Sequence, residues 1–326
     1  VDSGQQSVND AAELGRRLAA GDRGAAPAAL NLLEQRGPGA QEAADELLAE
    51  LSPQRLGAET PGMIVGITGP PGAGKSTLLA ELIARWRARG RSVAVLAIDP
   101  SSKRSGGSLL GDRARMAVDA RDDAVLVRSS ATATRLGGLA PTTRESAIAL
   151  SAAFDVVIVE TVGVGQSETD IAELADIVGV IVQPASGDVL QFIKSGVMEI
   201  PDLLVVTKID LGPIAITAAR DLKAALRTLG ASTPVLRVSS VPPATGIDEL
   251  IDATEELYAA LDLPARRGRV RRLAALDAFI HEHGESGLRA LGGRRAAEKL
   301  LAAQPARTGH RELRKLLAER ASDQRH

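Results

Sequence analysis

Gly69, Gly74, Lys75 and Ser76 stand in the spacing G-x-x-x-x-G-K-S, within the run Gly66-Ile-Thr-Gly-Pro-Pro-Gly-Ala-Gly-Lys-Ser-Thr77. Residues of these types in this order suit a polyphosphate. Backbone N–H groups of a glycine loop can surround phosphate oxygens, a lysine can reach the outer phosphates, and a serine hydroxyl can bind Mg²⁺. On this reading Gly69, Pro70, Pro71, Gly72, Ala73, Gly74, Lys75, Ser76 and Thr77 form the nucleotide cradle. A glycine-rich turn that merely reverses the chain needs neither the lysine nor so many glycines.

Three carboxylates are placed to join that site. Asp99 ends an apolar run in Asp99-Pro-Ser-Ser102, Asp112 closes Leu110-Gly-Asp112, and Glu160 ends Asp155-Val-Val-Ile-Val-Glu160. Asp99 and Asp112 could approach a phosphate-bound Mg²⁺ directly or through water, or could cap ordinary turns. Glu160 stands where a strand-terminal carboxylate orders Mg²⁺ or its water, and Gly163 could let the backbone approach the terminal phosphate or serve turn geometry alone. Lys75 and Glu160 are therefore the catalytic candidates, with Ser76, Asp99, Asp112 and Glu160 as the metal set.

The base is read from Leu203-Leu-Val-Val-Thr-Lys208-Ile-Asp210. The Asp210 carboxylate can accept from the N1–H and 2-amino group of guanine, donors that adenine lacks. Lys208 can lay its aliphatic stem over the base and Thr207 can brace the loop. Ser239, Ser240 and Val241 follow the next strand, where loop backbone could contact guanine O6. The competing reading is a surface turn in an ATPase.

These residues require a frame that gathers strand ends. A strand from Met63 leads into the glycine loop, and Leu78, Leu79, Leu82 and Ile83 have helical spacing after it. Further strands are predicted at Ser92–Ile98, Ala124–Arg128, Asp155–Glu160, Ile177–Gln183, Leu203–Thr207 and Pro234–Val238. Most lack alternating polar positions, as in a sheet covered on both faces. Helices are predicted at Thr142–Ala152, around Leu190–Met198, and at Ala218–Leu229, Asp248–Leu261 and Leu273–Ile280. The fold class is α/β: a P-loop NTPase with a predominantly parallel central sheet, an N-terminal helical appendage and a C-terminal helical arm. The expected division is residues 1–60, 61–262 and 263–326, with functional groups at the carboxyl ends of the strands.

Composition limits the alternatives. The 326 residues, 44% of them hydrophobic, can bury a large core. No apolar run is long enough to span a membrane, and no signal peptide is seen at Val1-Asp-Ser-Gly-Gln5. The chain has no cysteine, consistent with a cytoplasmic location. A net charge of -2 offers no general attraction to nucleic acid. Arg266, Arg267, Arg269, Arg271 and Arg272 are read as a solvated basic face. His281, His283, His310 and His326 lack enough organised ligands for a metal site.

The phrases Gly69-Pro-Pro-Gly-Ala-Gly-Lys-Ser76, Ala97-Ile-Asp-Pro-Ser-Ser102, Gly106-Gly-Ser-Leu-Leu-Gly-Asp112, Val159-Glu-Thr-Val-Gly-Val-Gly-Gln-Ser-Glu168 and Gly187-Asp-Val-Leu-Gln-Phe-Ile-Lys194 together resemble the MeaB/ArgK family of cobalamin-mutase-associated GTPases. The likeness spans roughly residues 10 to 260. The resemblance implies a GTPase hydrolysing GTP to GDP and phosphate, with Mg²⁺, as chaperone of an adenosylcobalamin-dependent acyl-CoA mutase. GTP binding and hydrolysis would be coupled to cofactor loading or protection; the loops around Asp112–Met116, Gly163–Glu168 and Gly187–Lys194, near predicted strand ends, are expected to change shape with nucleotide state and so alter the surface offered to that partner. It also implies a homodimer built through the C-terminal arm. Thr207 stands where the family commonly has asparagine, and Ser239-Ser240 where it has Ser-Ala. A metal-delivery GTPase and an inactive nucleotide-binding scaffold are the other readings. The first lacks a Cys/His-rich segment, and Lys75 with Ser76 opposes the second.

Overall fold

The computed structural model describes residues 2–35, 37, 39–99, 121–131, 141–161, 170–184 and 201–323. Asp112, Gly163, the three partner loops and the helix expected around Leu190–Met198 lie outside these residues. By internal contacts the chain divides into two compact units. One comprises Met63–Thr143 and Phe154–Leu261, the other Val1–Gly62, Arg144–Ala153 and Asp262–His326.

The first of these is built on seven strands: β1 (Met63–Thr68), β2 (Val93–Asp99), β3 (Val125–Ala131), β4 (Val156–Thr161), β5 (Ile177–Val182), β6 (Leu203–Val206) and β7 (Val235–Arg237). Their order is β3-β2-β4-β1-β5-β6-β7, and every pairing is parallel. Because the strands run the same way, the ends of β1, β4, β6 and β7 open on one edge, where those predicted site residues that are described lie. β1, β5 and β6 are buried at every position, as a sheet covered on both faces requires.

On one face, Met63, Val65 and Ile67 pack with Leu78, Leu79 and Leu82 of a helix at Lys75–Ala88 and with Leu250 and Ile251 of a helix at Ile247–Ala259. On the other face, a Cβ on Gly66 would lie 2.7 Å from Ile171 Cγ1, so the 170–174 segment sits directly against β1. A helix at Pro213–Thr228 packs on β6 and β7 and begins five residues before the expected Ala218. Gly212 precedes it and Pro213 opens its first turn, where a missing N–H removes no hydrogen bond.

The other unit is helical. In chain order the α-helices among the described residues are α1 (Asp2–Ala19), α2 (Ala26–Leu33), α3 (Ala40–Glu50), α4 (Pro53–Leu56), α5 (Lys75–Ala88), α6 (Pro141–Ser151), α7 (Pro213–Thr228), α8 (Ile247–Ala259), α9 (Leu263–Ala290), α10 (Arg294–Ala302) and α11 (His310–Asp323). Phe279, Leu276 and Ala275 of α9 form a core with Ala297 and Leu301 of α10 and Leu313 and Leu317 of α11. α9 extends well beyond the expected Leu273–Ile280. The Asp262 carboxylate accepts from Ala265 N at 3.1 Å, and Pro264 lies in the first turn.

The basic cluster is not a solvated face. Among its five arginines only Arg269 is exposed, while Arg267 and Arg271 keep 6% and 8% of their surface. One turn apart on α9, these two meet the segment ahead of β1. Arg267 donates to the carbonyls of Thr60 at 2.7 Å and Gly62 at 2.6 Å. Arg271 holds Glu59 through two bonds of 2.8 Å and donates to Ala306 O at 2.6 Å. Fixed acceptors replace water around both guanidinium groups, which makes their burial tolerable.

Candidate functional site

The phosphate loop is shaped by glycine where no other residue fits. Gly69 has φ +150°, and a Cβ there would stand 2.6 Å from Ile181 O. Gly74 (φ +87°) caps α5 and accepts at its carbonyl from Leu78 N, which leaves the first N–H groups of the helix turned toward the loop. Lys75 keeps 6% of its surface; its Nζ donates to Gly69 O at 2.6 Å and Pro70 O at 2.9 Å. Its amine folds back on its own loop. Burial lowers the Lys75 pKa, and the Glu160 charge opposes that shift.

Glu160 is one residue from the end of β4. It lies opposite Ile67 of β1 and Ala97 of β2, and shares with Ile67 the face on which α5 packs. Asp99 ends β2 opposite Ala131 of β3; nothing further is described for its side chain. Ser76 and Thr77 occupy the first turn of α5, Ser76 half-buried and Thr77 exposed.

The expected base-binding residues are joined to the phosphate loop. Thr207 Oγ1, 3% exposed, donates to Ala73 O at 2.7 Å. Lys208, in the left-handed region at φ 54°, donates from Nζ to Gly72 O at 2.8 Å. These bonds cross 134 and 136 positions of sequence. Asp210 accepts from Ser239 Oγ at 2.6 Å, and Ser239 Oγ in turn accepts from Val241 N at 3.2 Å. Reciprocal backbone bonds between Ser239 and Thr245 close that loop. Ser240, partly buried, and Val241, exposed, thus lie beside Asp210. The structure brings together residues 69–77, 207–210 and 239–241 as one strand-end cluster.

One neighbour of the loop escaped sequence reasoning. Gln183 follows β5, and its Oε1 lies 4.0 Å from where a Cβ would stand on Gly72. Its position at the end of the strand beside β1 was the available signal. The donors offered to a metal are the Ser76 hydroxyl and the Glu160 carboxylate, hard oxygens suited to Mg²⁺, which takes few protein ligands beside phosphate and water. With the glycine cradle at Gly69 and Gly74 this is a fitting set. Among the described residues no group of three or more His, Cys, Asp or Glu could hold a metal ion, and no helix is long and apolar enough to cross a membrane.

Comparison with known proteins agrees with this geometry. A solved structure described as a LAO/AO transport system kinase matches with a TM-score of 0.65 at 30% identity, covering 95% of this chain and 96% of that one. A probable GTPase of Mycobacterium tuberculosis is 44% identical over 259 residues, 76% of each chain. GTPase ArgK of Escherichia coli is 38% identical over 279 residues, 83% of each chain. The family model for methylmalonyl Co-A mutase-associated GTPase MeaB matches residues 26–285. With the phosphate loop, the parallel sheet and these relatives in agreement, the chain belongs to the MeaB family of GTPases.

Proposed function

We propose that the protein couples GTP binding and hydrolysis to cofactor loading or protection in an adenosylcobalamin-dependent acyl-CoA mutase, as its chaperone. The observation that carries the nucleotide part is the clasp of Thr207 and Lys208 onto Ala73 and Gly72, which ties a base-selecting strand end to a phosphate loop. Asp210, aligned by Ser239, reads the N1–H and 2-amino group of guanine. Family membership supports the mutase as partner class. A homodimer, a cytoplasmic location and nucleotide chemistry confined to residues 61–262 belong to the same proposal.

The reaction is attack of water on the terminal phosphorus, with release of GDP and phosphate. N–H groups of Gly72 to Ser76 take up charge on the phosphate oxygens as it develops. Lys75 exchanges the carbonyls of Gly69 and Pro70 for the outer phosphates, which restores an anionic partner to a buried ammonium. Ser76 and Glu160, with Asp99 and Asp112, would hold Mg²⁺, whose charge offsets that of the phosphates. Glu160 orders water beside the terminal phosphate.

Nucleotide binding and product release measured with GTP and ATP test the first part. Saturable GTP binding and Mg²⁺-dependent GDP production are expected; comparable use of ATP with none of GTP overturns the guanine assignment. For the partner, pull-down from source-cell lysate with GDP and with a nonhydrolysable GTP analogue should recover a mutase in a nucleotide-dependent manner. Recovery of a different maturation enzyme, with no mutase under either condition, sinks that assignment.

A further inference from the structure

Two buried hydroxyls without a hydrogen-bond partner stand at the ends of neighbouring strands. Thr68 closes β1 and Thr161 closes β4; they are 0% and 1% exposed, and neither Oγ1 is bonded. The register Gly66 to Val159 and Ile67 to Glu160 makes them the next residues side by side. Side chains alternate along a strand, so both threonines share the Gly66 face, against Ile171, while Glu160 faces α5. A buried hydroxyl left unpaired lowers stability, and valine has the same shape without that cost. Two such hydroxyls together, directly before the phosphate loop and directly after Glu160, call for a polar occupant. Neighbouring strands lie about 4.8 Å apart, a gap that one water spans with two hydrogen bonds of about 2.8 Å.

We propose that Thr68 and Thr161 are positioning residues that share one internal water, pinning the exit of β1 into the phosphate loop to the exit of β4 at Glu160. The water acts from the face opposite the nucleotide. It fixes the spacing between the Gly69 to Lys75 loop and the Glu160 carboxylate, on which transition-state geometry depends. The activity readout rests on the GTPase reading above; the water itself does not.

The test combines a high-resolution crystal structure of the full chain with kinetics and thermal unfolding of Thr68→Val, Thr161→Val, the double variant and both serine variants. The expected structure shows one water within hydrogen-bond distance of both Oγ1 atoms. Each valine lowers kcat about tenfold with KM little changed, and the double variant falls no further than the worse single one. Each single valine leaves the other hydroxyl short of a partner and lowers the melting temperature slightly, the double variant returns close to wild type in stability while kcat stays low, and serine restores kcat. A well-ordered wild-type structure without that water overturns the proposal, as do valine variants with wild-type kcat, or a loss of kcat that tracks a loss of stability. Should the wild type turn over ATP and not GTP, the guanine reading fails, and the same variants assayed with ATP still decide the role of the water.

Discussion

On the proposed reading Asp210 reads the base, whereas Thr207 supports the glycine loop through its bond to Ala73 O. Asp210→Asn keeps an acceptor for the Ser239 hydroxyl but offers guanine an amide where two donors need a carboxylate. Its affinity for GTP should fall and its preference move toward xanthosine triphosphate, whereas Lys75→Ala should weaken both nucleotides alike. Fluorescence titration with the two triphosphates checks this; equal losses for Asp210→Asn would place the base elsewhere. Thr207→Val removes the 2.7 Å bond to Ala73 O and leaves that carbonyl without its donor. A lost bond of this kind costs about 1–3 kcal/mol, so the dissociation constant for GDP and GTP should rise about tenfold, with Thr207→Ser close to wild type. The phosphate loop was legible in sequence because its chemistry is local. Thr207 was expected to brace the base loop, and its bond reaches the glycine loop at Ala73, a partner that follows from a sheet order bringing β6 two strands from β1.

At the scale of the element, α9 shows where sequence reasoning met its limit. Five arginines in seven positions read as a charged surface, since burying a lone guanidinium is costly. The helical period sets Arg267 and Arg271 on one face, and their acceptors at Glu59, Thr60 and Gly62 lie more than 200 residues earlier. Nothing in a local window announces such a partner. The strands were more legible than the helix ends, because an uninterrupted apolar run marks a parallel strand, while Pro213 and Pro264 resemble breaks and in fact open helices. Arg271→Lys cannot reproduce the two-pronged bond to Glu59 and leaves a buried carboxylate poorly matched. Arg271→Ala leaves it unpaired, and should destabilise the protein by about 3 kcal/mol, with lysine recovering less than half. Urea unfolding followed by circular dichroism measures both. Wild-type midpoints in either variant would mean that the clasp contributes nothing to the fold.

Over the whole molecule the charge is nearly balanced, yet its ends are not. Residues 1–62 carry ten acidic and five basic side chains, residues 262–326 eight acidic and fifteen basic. Both segments belong to the helical unit, where Arg311 meets Glu46 at 2.6 Å and Arg314 meets Asp45 at 3.5 Å and Glu282 at 3.1 Å. Partly buried among these charges are two groups with displaced titrations. Burial, then the Asp45 charge, pushes the Glu145 carboxyl up to about 7, with Arg314 and Arg144 opposing; burial, then Arg314, pushes His310 down to about 4. The two act on stability in opposite senses. The folded state holds the Glu145 proton more tightly than the unfolded chain does, so its contribution is full below pH 4.5 and is lost as pH rises through about 7. The folded state resists protonation of His310, so that contribution is full above pH 6.5 and is lost as pH falls through about 4. Between 4.5 and 6.5 the two slopes offset each other, and Glu145 acts alone from there to about 7. Glu145→Gln, which keeps a neutral side chain at every pH, should therefore exceed the wild type by about 2 kcal/mol near pH 8 and match it near pH 4.5. Its remaining pH dependence should come from His310 and appear as a loss of stability below 6.5. Thermal unfolding across that range decides the matter: a constant offset between the two proteins from acid to alkaline pH would remove Glu145 as the group responsible.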